Sequence, residues 1–312
     1  MLIRGRQAVE GGILLVMSIK EHPPLHVPVL LDDVIAALHP IQGENYLDLT
    51  AGYGGHARAV LDKTANYTDS FLVDRDEMTY KHLRDLTDKG VGLLQTDFVS
   101  AAKALIADGK QFSLILLDLG VSSPQLDRAE RGFSFTHDGP LDMRMDQRLV
   151  LTAADFVNRR SRDELFRVIR EYGEERPGAA KRYTDAIIAH RPFRATGQLA
   201  DAIKNAHVGK WQKTHPATRT FQAIRIAIND ELGQVEAIMP LLPNLLKKDG
   251  RVGVISFHSL EDRIVKRYFV EQRDAGLESE LTVLTKKPIA GDTHDVHNPR
   301  SRSAKLRVAV KK

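Results

Sequence analysis

The sequence predicts an α/β fold in which a parallel sheet is interrupted by an inserted helical domain. Within the first 125 residues, strand-like and helix-like segments alternate, which is the pattern of βαβ units around a parallel sheet. Between residues 126 and 215 helical spacing prevails and no convincing strand is found. An apolar strand returns at residues 251–257, so we expect the sheet domain to resume after the insert.

Four strands are predicted in the first part of the sheet domain. They cover Tyr46 to Leu49, Ser70 to Val73, Val91 to Leu94 and Phe112 to Leu117. The last of them, FSLILL, is apolar throughout, which is typical of a strand that is buried on both faces of a sheet. One helix is expected to begin at His56, after a Gly-rich turn, and a second is expected around Leu83.

Helical periodicity dominates the later part of the chain. Four apolar side chains between Leu165 and Tyr172 recur at i, i+3, i+4 and i+7, the spacing of one helix face. A long amphipathic helix is expected from Phe221 to Met239, where two prolines stop it. After the strand at residues 251–257, Ser259 with Asp262 resembles a capping box that starts another helix.

These patterns divide the chain into five predicted segments. They are a disordered leader over residues 1–22, the first part of the sheet domain over 23–125, the helical insert over 126–215, the second part of the sheet domain over 216–285 and a basic C-terminal tail over 286–312. The tail carries eight Lys or Arg against two Asp. Such a charge balance suits phosphate backbones, although a merely solubilising tail has the same composition.

Composition excludes several classes of site. The 312 residues include no Cys, so neither a disulfide framework nor a thiolate metal site or nucleophile is available, and a reducing cytoplasm fits. The apolar stretch near the start, residues 11–17, is far shorter than the roughly 18 residues of a membrane span. We therefore expect a cytoplasmic protein without a membrane partner.

A Gly-rich turn between the first strand and its helix predicts a ligand site. Asp48 is followed by Gly52, Gly54 and Gly55, and glycines here can take positive φ and let the backbone approach a ligand closely. Asp74 ends the second strand, 22 residues beyond Gly52, where an acidic side chain accepts hydrogen bonds from ribose hydroxyls in nucleotide-binding folds. Asp76, two residues on, is an alternative. The two features together favour an adenosine-containing ligand.

The end of the third strand fits the same ligand. Asp97 offers an acceptor for an exocyclic amine, and Phe98 offers an aromatic face beside an adenine plane, although a core position for Phe98 is the alternative. The G-x-G-x-x-G spacing of dinucleotide binders is absent. A cofactor with adenosine at one end and a cationic amino acid at the other would suit the carboxylates of Asp48 and Asp118. S-adenosylmethionine is such a cofactor.

Seven further segments carry a resemblance to a known family. They are HVPVLLDDV (26–34), DLTAGYGGHA (48–57), LLDLGVSSPQLD (116–127), RGFSF with DGPLDMRMD (131–146), YGEER (172–176), HPATRTFQAIRI (215–226) and VISFHSLEDRIVK (254–266). In these strings the chain resembles the bacterial 16S ribosomal RNA cytosine-N4 methyltransferases, the RsmH or MraW type. The resemblance runs from about residue 26 to the C-terminal NPRSRSAKLRV.

The resemblance implies a class I, Rossmann-like S-adenosylmethionine methyltransferase sheet with a helical insert that docks the substrate. It implies methyl transfer to N4 of a specific cytidine in the decoding centre, at the P site, of 16S rRNA within the small ribosomal subunit. Carried over by motif, the methionine end would be held by Gly54, Gly55 and His56. The remaining cofactor contacts would be Asp74 at the ribose, Phe98 at the adenine, and Asp118 and Gln125 near the sulfonium.

The turn after the fourth strand is the expected catalytic segment. Residues 121–125 (VSSPQ) stand where DNA amino-methylating enzymes carry a Ser/Asp-Pro-Pro-aromatic turn. An amine that attacks a sulfonium develops positive charge, so acceptors from Asp118, Ser122 and Ser123 would stabilise the transition state. The turn lacks an aromatic residue, and Phe133 or Phe135 is expected to stack on the cytosine instead.

Several alternatives remain open at this stage. The carboxylates Asp138, Asp142 and Asp146 could bind Mg²⁺, but an ion-paired scaffold with nearby arginines is favoured, and no metal is predicted. His258 with Glu261 could act as an acid/base pair or only shape the cleft. A methyltransferase of small molecules or proteins, and a non-catalytic assembly factor, are the competing functions. The oligomeric state is open, with a homodimer as one alternative.

Overall fold

A computed structural model describes residues 28–209 and 214–312, and the leader predicted over residues 1–22 lies outside them. The strands are β1 (Tyr46–Asp48), β2 (Phe71–Asp74), β3 (Gly92–Gln95), β4 (Phe112–Asp118), β5 (Leu246–Ser256), β6 (Leu281–Val283), β7 (Ile289–Ala290) and β8 (Lys305–Lys311). They form one sheet in the order β3-β2-β1-β4-β5-β8-β6, and β7 pairs with β8. The first five strands pair in parallel, whereas β8 is antiparallel to β5 and β6.

Fourteen α-helices are present in the described part of the chain. They are α1 (Leu31–Leu38), α2 (Gly55–Thr64), α3 (Arg84–Thr87), α4 (Phe98–Ala107), α5 (Ser123–Asp127), α6 (Ala153–Arg159), α7 (Arg162–Glu171), α8 (Pro177–His190), α9 (Thr196–Ala206), α10 (Ala217–Asn229), α11 (Glu231–Ile238), α12 (Leu242–Leu245), α13 (Ser259–Asp274) and α14 (Gly291–His294). None of these helices is long and apolar enough to cross a membrane.

The apolar composition of β4 reflects burial on both of its faces, as predicted. Ile115 and Leu117 belong to one core cluster, whereas Leu114 and Leu116 belong to the cluster on the other side of the sheet. Successive side chains of a strand point to opposite faces, so a strand covered on both faces is apolar at every position. This central strand ends at Asp118, which places that carboxylate at the edge of the sheet where parallel strands bind ligands.

A separate core belongs to the helices between β4 and β5. Its buried side chains run from Phe133 to Ile228 and include Leu165, Tyr183 and Phe221. Helix α10 contributes to this core, so the boundary predicted between residues 215 and 216 lies just before a helix that packs with the insert.

The single long helix expected from Phe221 to Met239 is wrong. Asp230 adopts the left-handed conformation, with φ of 50°, and separates α10 from α11. A Cβ on Gly233 would lie 2.4 Å from Asp230 Oδ1, so this glycine leaves room for the Asp230 carboxylate. Asp is among the residues that tolerate this conformation, and an apolar spacing that continues across it does not reveal the break.

The basic tail predicted over residues 286–312 is also wrong, because its last part is a strand inside the sheet. Strand β8 pairs with β5 along six residues, from Lys305 to Val310. Leu306 and Val308 are buried, and buried Arg307 donates to Asp262 at 2.8 Å. The density of Lys and Arg concealed the alternation of apolar side chains that is typical of a strand.

Candidate active site

A cavity of about 580 Å³ lies at the carboxyl ends of the central strands. Asp48, Asp74 and Asp118, which end β1, β2 and β4, line it from the sheet. Phe135 and Phe221 of the helical core line it from the insert. A cleft of this size with a few convergent polar groups is the usual form of a small-molecule site.

The Gly-rich turn fits closely against the residues around it. Gly52 and Gly54 both have positive φ, of 51° and 78°. The Gly52 N–H donates to Asp74 Oδ2 at 2.7 Å, and a Cβ on Gly55 would lie 2.4 Å from Cγ of Pro28. The turn therefore requires glycine for its conformation and for its packing.

Of the two carboxylates that could reach a ribose, Asp74 lines the cavity. Its oxygens accept the backbone N–H groups of Gly52 and Asp76, which fixes its orientation, and burial raises the pKa of Asp74 to about 6. Asp76 instead pairs with buried Arg131 at 2.6 Å. It is therefore occupied by an internal ion pair.

Gln125 also belongs to that internal network. Its Oε1 accepts the Ser122 N–H at 2.9 Å, and its Nε2 donates to Asp76 at 2.8 Å. Ser122, Ser123 and Gln125 line the cavity, as the sequence analysis expected of a site segment. Both ends of its amide bind protein groups, so Gln125 positions the loop after β4 while it lines the cavity.

Two carboxyl groups that line the cavity have strongly raised pKa values. Asp48 accepts from Tyr46 Oη at 2.9 Å and from the Thr50 N–H at 3.1 Å, and burial raises the pKa of Asp48 to about 7. Burial, helped by the charges of Asp48 and Glu261, raises the pKa of Asp118 to about 8. Perturbed carboxyls in a cleft indicate a functional site.

Asp118 carries the clearest sign that a ligand belongs here. Its Oδ1 is buried and has no hydrogen-bond partner among the described residues, and its Oδ2 lies 3.7 Å from His56 Nε2. A buried, unsatisfied carboxylate oxygen is costly, and a bound cation would remove that cost. The carboxylates of Asp48, Asp74 and Asp118 therefore fit a methyl donor that carries a sulfonium and an ammonium group.

Phe98 and Asp97 have clear structural roles at the end of β3. Phe98 is 8% exposed and belongs to the sheet core, yet it also lines the cavity. Asp97 caps α4, and its Oδ1 accepts the N–H groups of Val99 and Ser100 at 3.1 and 2.9 Å. The Asp97 carboxylate therefore caps α4, and Phe98 contributes an aromatic side chain to the cavity wall.

An ion pair that was not predicted from the sequence lies on the opposite wall of the cavity. Arg225 donates to both carboxylate oxygens of Glu231, each at 2.8 Å, and Glu231 is buried. The signal was present, since Arg225 follows Ile224 and lies one turn after Phe221 on the amphipathic α10, where an arginine next to the buried face needs a partner.

His258, and not Ser259, caps α13, which corrects the predicted capping box. His258 Nδ1 accepts the Glu261 N–H at 3.5 Å, and its Nε2 lies 3.1 Å from Glu261 Oε1. Glu261 Oε2 accepts the Phe257 N–H at 2.8 Å. Burial raises the pKa of Glu261, but the interaction with His258, the hydrogen bond from the Phe257 N–H and the charge of Arg225 outweigh burial and lower it overall. Both side chains line the cavity.

These side chains resemble a metal site in their spacing. Ligand atoms of Glu231, His258 and Glu261 lie within 4.8 Å of one another. However, the guanidinium of Arg225 already bonds both oxygens of Glu231. Both oxygens of Glu231 are therefore engaged by a positively charged group of the protein.

The loop carboxylates considered for Mg²⁺ are occupied by protein partners. Asp142 pairs with Arg144 at 2.8 Å, Asp146 pairs with Arg148 at 2.7 Å, and Asp138 accepts the Gly197 N–H at 2.7 Å. The ion-paired scaffold favoured from the sequence is observed for Asp142 and Asp146, whereas Asp138 accepts hydrogen bonds from a backbone N–H and a hydroxyl group. Its arginine partners are sequence neighbours, whereas Arg131 pairs with Asp76.

Comparison with known proteins places nearly the whole chain in one family. A family model described as the MraW methylase family matches residues 24–312. The "Ribosomal RNA small subunit methyltransferase H" of Synechocystis sp. is 44% identical over 318 residues, which cover 98% of this chain and 99% of that protein. The protein of the same name from Acidobacterium capsulatum is 46% identical over 299 residues, which cover 92% of this chain and 98% of that protein.

Among solved structures, the putative rRNA methylase from Clostridium thermocellum is similar with a TM-score of 0.43 and 11% identity, over 92% of this chain and 100% of that one. A similarity of this size is too low to support an argument. The assignment follows from the family model, which covers nearly the whole chain, and from the two relatives: the chain belongs to the MraW methylase family.

Proposed function

We propose that this enzyme transfers the methyl group of S-adenosylmethionine to N4 of one cytidine in the decoding centre of 16S rRNA, at the P site, within the small ribosomal subunit. The relatives' name specifies small-subunit ribosomal RNA methylation, and the family resemblance adds the base, the atom and the place. The unpartnered carboxylate oxygen of Asp118, in a cavity walled by both the sheet and the helical core, is the observation that carries the proposal. Ribosomal subunits lie in the cytoplasm, which is the expected compartment.

The carboxyl edge of the sheet is assigned to the methyl donor. Gly54, Gly55 and His56 would hold its methionine end, Asp74 its ribose and Phe98 its adenine. When bound, the donor supplies an electrophilic methyl group on a positively charged sulfur. The role of this chain is to hold that group in line with the target nitrogen, which is mainly a task of positioning.

Asp118, Ser122 and Ser123 are assigned to the target amine. When N4 bonds to the methyl carbon and the sulfur–carbon bond breaks, N4 gains positive charge and then releases a proton. The carboxylate of Asp118 would stabilise that charge and accept the proton, while the Ser122 and Ser123 loop would supply further acceptors. A bound cation lowers the pKa of Asp118 and so makes its ionised form available.

Phe135 is the aromatic side chain best placed to stack on the cytosine. Its ring lies 4.8 Å, centroid to centroid, from Phe221 and from His215. Phe135 is half-buried in the cavity wall, whereas Phe133 is 5% exposed and lies under the Arg131 guanidinium at 5.7 Å. A base needs an accessible ring, and Phe135 is the more exposed of the two phenylalanines.

Phe135→Ala is expected to lower kcat/KM for small subunits by about 5- to 150-fold, because base stacking contributes roughly 1–3 kcal/mol. The affinity for S-adenosylmethionine should be unchanged. Steady-state kinetics with undermethylated subunits and calorimetry with the donor check both. Phe166→Ala is the control, since Phe166 packs against the same helical core without lining the cavity. Equal losses in the two variants would contradict the assignment.

The affinity for the methyl donor is expected to rise with pH. Asp118 has a pKa of about 8 without ligand, so below that pH binding of a cation must displace a proton. One such proton changes Kd by at most about tenfold per pH unit, and the effect should level off above pH 8. Calorimetry at several pH values, on wild type and Asp118→Asn, measures it. The ratio of the two affinities isolates Asp118, because the amino group of the ligand titrates in both. A ratio that does not vary with pH would contradict this role.

Transfer of label from S-adenosylmethionine to small subunits tests the substrate class. The subunits come from a strain that lacks the corresponding gene, and large subunits from the same strain are the control. Incorporation into 16S rRNA alone is the expected result. If neither RNA is labelled while the donor still binds, a small-molecule or protein substrate, or a non-catalytic role in assembly, would replace the proposal.

A further inference from the structure

The segment Pro299–Ser303, here called the C-terminal rim, forms part of the wall of the active-site cavity. Pro299, Arg300 and Ser303 line that cavity. The rim is firmly held, because Ser301 is fully buried and its hydroxyl donates to Asp295. Gly291 fits against it so closely that a Cβ there would lie 1.8 Å from the Ser301 carbonyl oxygen. Arg300 and Arg302 therefore project from a fixed backbone.

The two arginines differ in their partners. Arg300 donates to both oxygens of Asp127, at 2.7 and 2.8 Å, and so joins the rim to the end of α5 beside the proposed catalytic loop. Arg302 is exposed and forms no hydrogen bond or ion pair with any described residue. An unpaired guanidinium on a fixed segment next to an RNA site is available to a ligand.

Arg302 lines a second cavity, of about 280 Å³. This cavity adjoins the first, since Phe257, His258 and Ser303 line both. A nucleotide whose base occupies the first cavity carries phosphates on each side, and a bound single strand must continue outward from that cavity. The second cavity is thus within reach of the strand next to the target.

The other charged and polar side chains discussed for the second cavity either have protein partners or are exposed. Lys305 lines it and bonds Asp262 at 3.3 Å, and Asp262 also accepts from Arg307 at 2.8 Å. The Ser259 hydroxyl donates to Glu174. Among the described lining residues, Asp292 is the one carboxylate, and it is exposed. Among the described Arg and Lys side chains that line this cavity, Arg302 is therefore the one without a hydrogen bond or ion pair.

We propose that Arg302 binds the RNA backbone phosphate adjacent to the target cytidine, with the second cavity as its subsite. The proposal rests on the function assigned above, and it names a contact that fixes the strand beside the methylated base. Arginine bonds phosphate with two parallel N–H groups, so the contact orients the strand as well as attracting it. Phosphate contacts position a nucleic acid without reading its sequence.

Arg302→Ala is expected to weaken binding to undermethylated small subunits by about tenfold at low salt. The slope of log Kd against log salt should fall by roughly 0.7, the value for one phosphate contact on a single strand. Affinity for S-adenosylmethionine should not change. Arg302→Lys should recover the salt slope but only part of the affinity, because Lys keeps the charge and loses the paired geometry.

Lys248→Ala is the matched control, since Lys248 is exposed, lacks an ion pair among the described residues, and lies near the start of β5, at the opposite edge of the sheet. An unchanged slope and affinity in Arg302→Ala would overturn the proposal, as would an equal loss in Lys248→Ala. Thermal unfolding should be the same in all three variants. The binding slopes test Arg302, whereas methyl transfer by the wild type tests the proposed function separately.

Discussion

Asp118→Asn is expected to lower the rate of methyl transfer by about 10²- to 10³-fold, the usual loss when one preorganised electrostatic group is removed from a reacting centre. This change replaces the carboxylate, one oxygen of which has no partner among the described residues, with a neutral amide. The amide neither accepts a proton nor carries a negative charge that would oppose the positive charge on N4. Single-turnover rates with small subunits measure the loss. Asp88→Asn, a change at an exposed carboxylate without a described partner, should leave the rate unchanged.

Asp118→Asn should also be more stable than the wild type at pH 8 in the absence of ligand. Asp118 has a folded pKa of about 8 against an ordinary value of 3.8, so the folded state holds a proton that the unfolded state releases. Stability is therefore lost as pH rises from about 4 to 8, and Asn at position 118 avoids that loss. Thermal unfolding at pH 5 and pH 8 checks the sign. A variant that is both inactive and less stable at pH 8 would indicate a structural role instead.

Arg131→Met is expected to destabilise the fold by about 3–5 kcal/mol, because it leaves the buried carboxylate of Asp76 without its cation. It also removes donors from the carbonyl oxygens of Arg144 and Met145, at 3.0 and 3.3 Å. Urea denaturation measures the loss of free energy of unfolding.

Arg148→Met provides the comparison, since its ion pair with Asp146 is exposed on the arginine side, which is 55% accessible. Exposed pairs contribute little, so this variant should unfold at nearly the wild-type urea concentration. Similar urea midpoints for Arg131→Met and Arg148→Met would show that the ion pair between Arg131 and Asp76 does not stabilise the fold. Because Gln125 also bonds Asp76, loss of Arg131 should in addition loosen the segment that carries Ser122.

The cofactor side of the cavity could be predicted because its signals are local. Each strand of a parallel sheet ends at the same edge, so Asp48, Asp74 and Asp118 could be brought together from the ends of three apolar runs. The glycines of the turn could also be interpreted from the sequence, because few residues other than glycine adopt a positive φ such as that of Gly54. What local patterns could not decide was which of Asp74 and Asp76 lines the cavity. That choice depends on Arg131, 55 residues beyond Asp76.

On the opposite wall, the sequence indicates that Arg225 needs a partner but does not identify Glu231, because that pairing is set by tertiary packing. Arg225 and Glu231 face each other only because Asp230 breaks the helix between them. Gln125 has the sequence position of a ligand contact, but its partners are Ser122 and Asp76. The C-terminal segment looked like a solvated tail by charge, and its pairing with β5 became visible only in the fold.

Nucleoside mass spectrometry of 16S rRNA, after reaction of undermethylated small subunits with S-adenosylmethionine, identifies the methylated atom. We expect N4-methylcytidine at one site, formed by the wild type and nearly absent with Asp118→Asn. A methyl group on a ribose hydroxyl, on a ring carbon or on another base would contradict the assignment of this cavity to the cytosine amine.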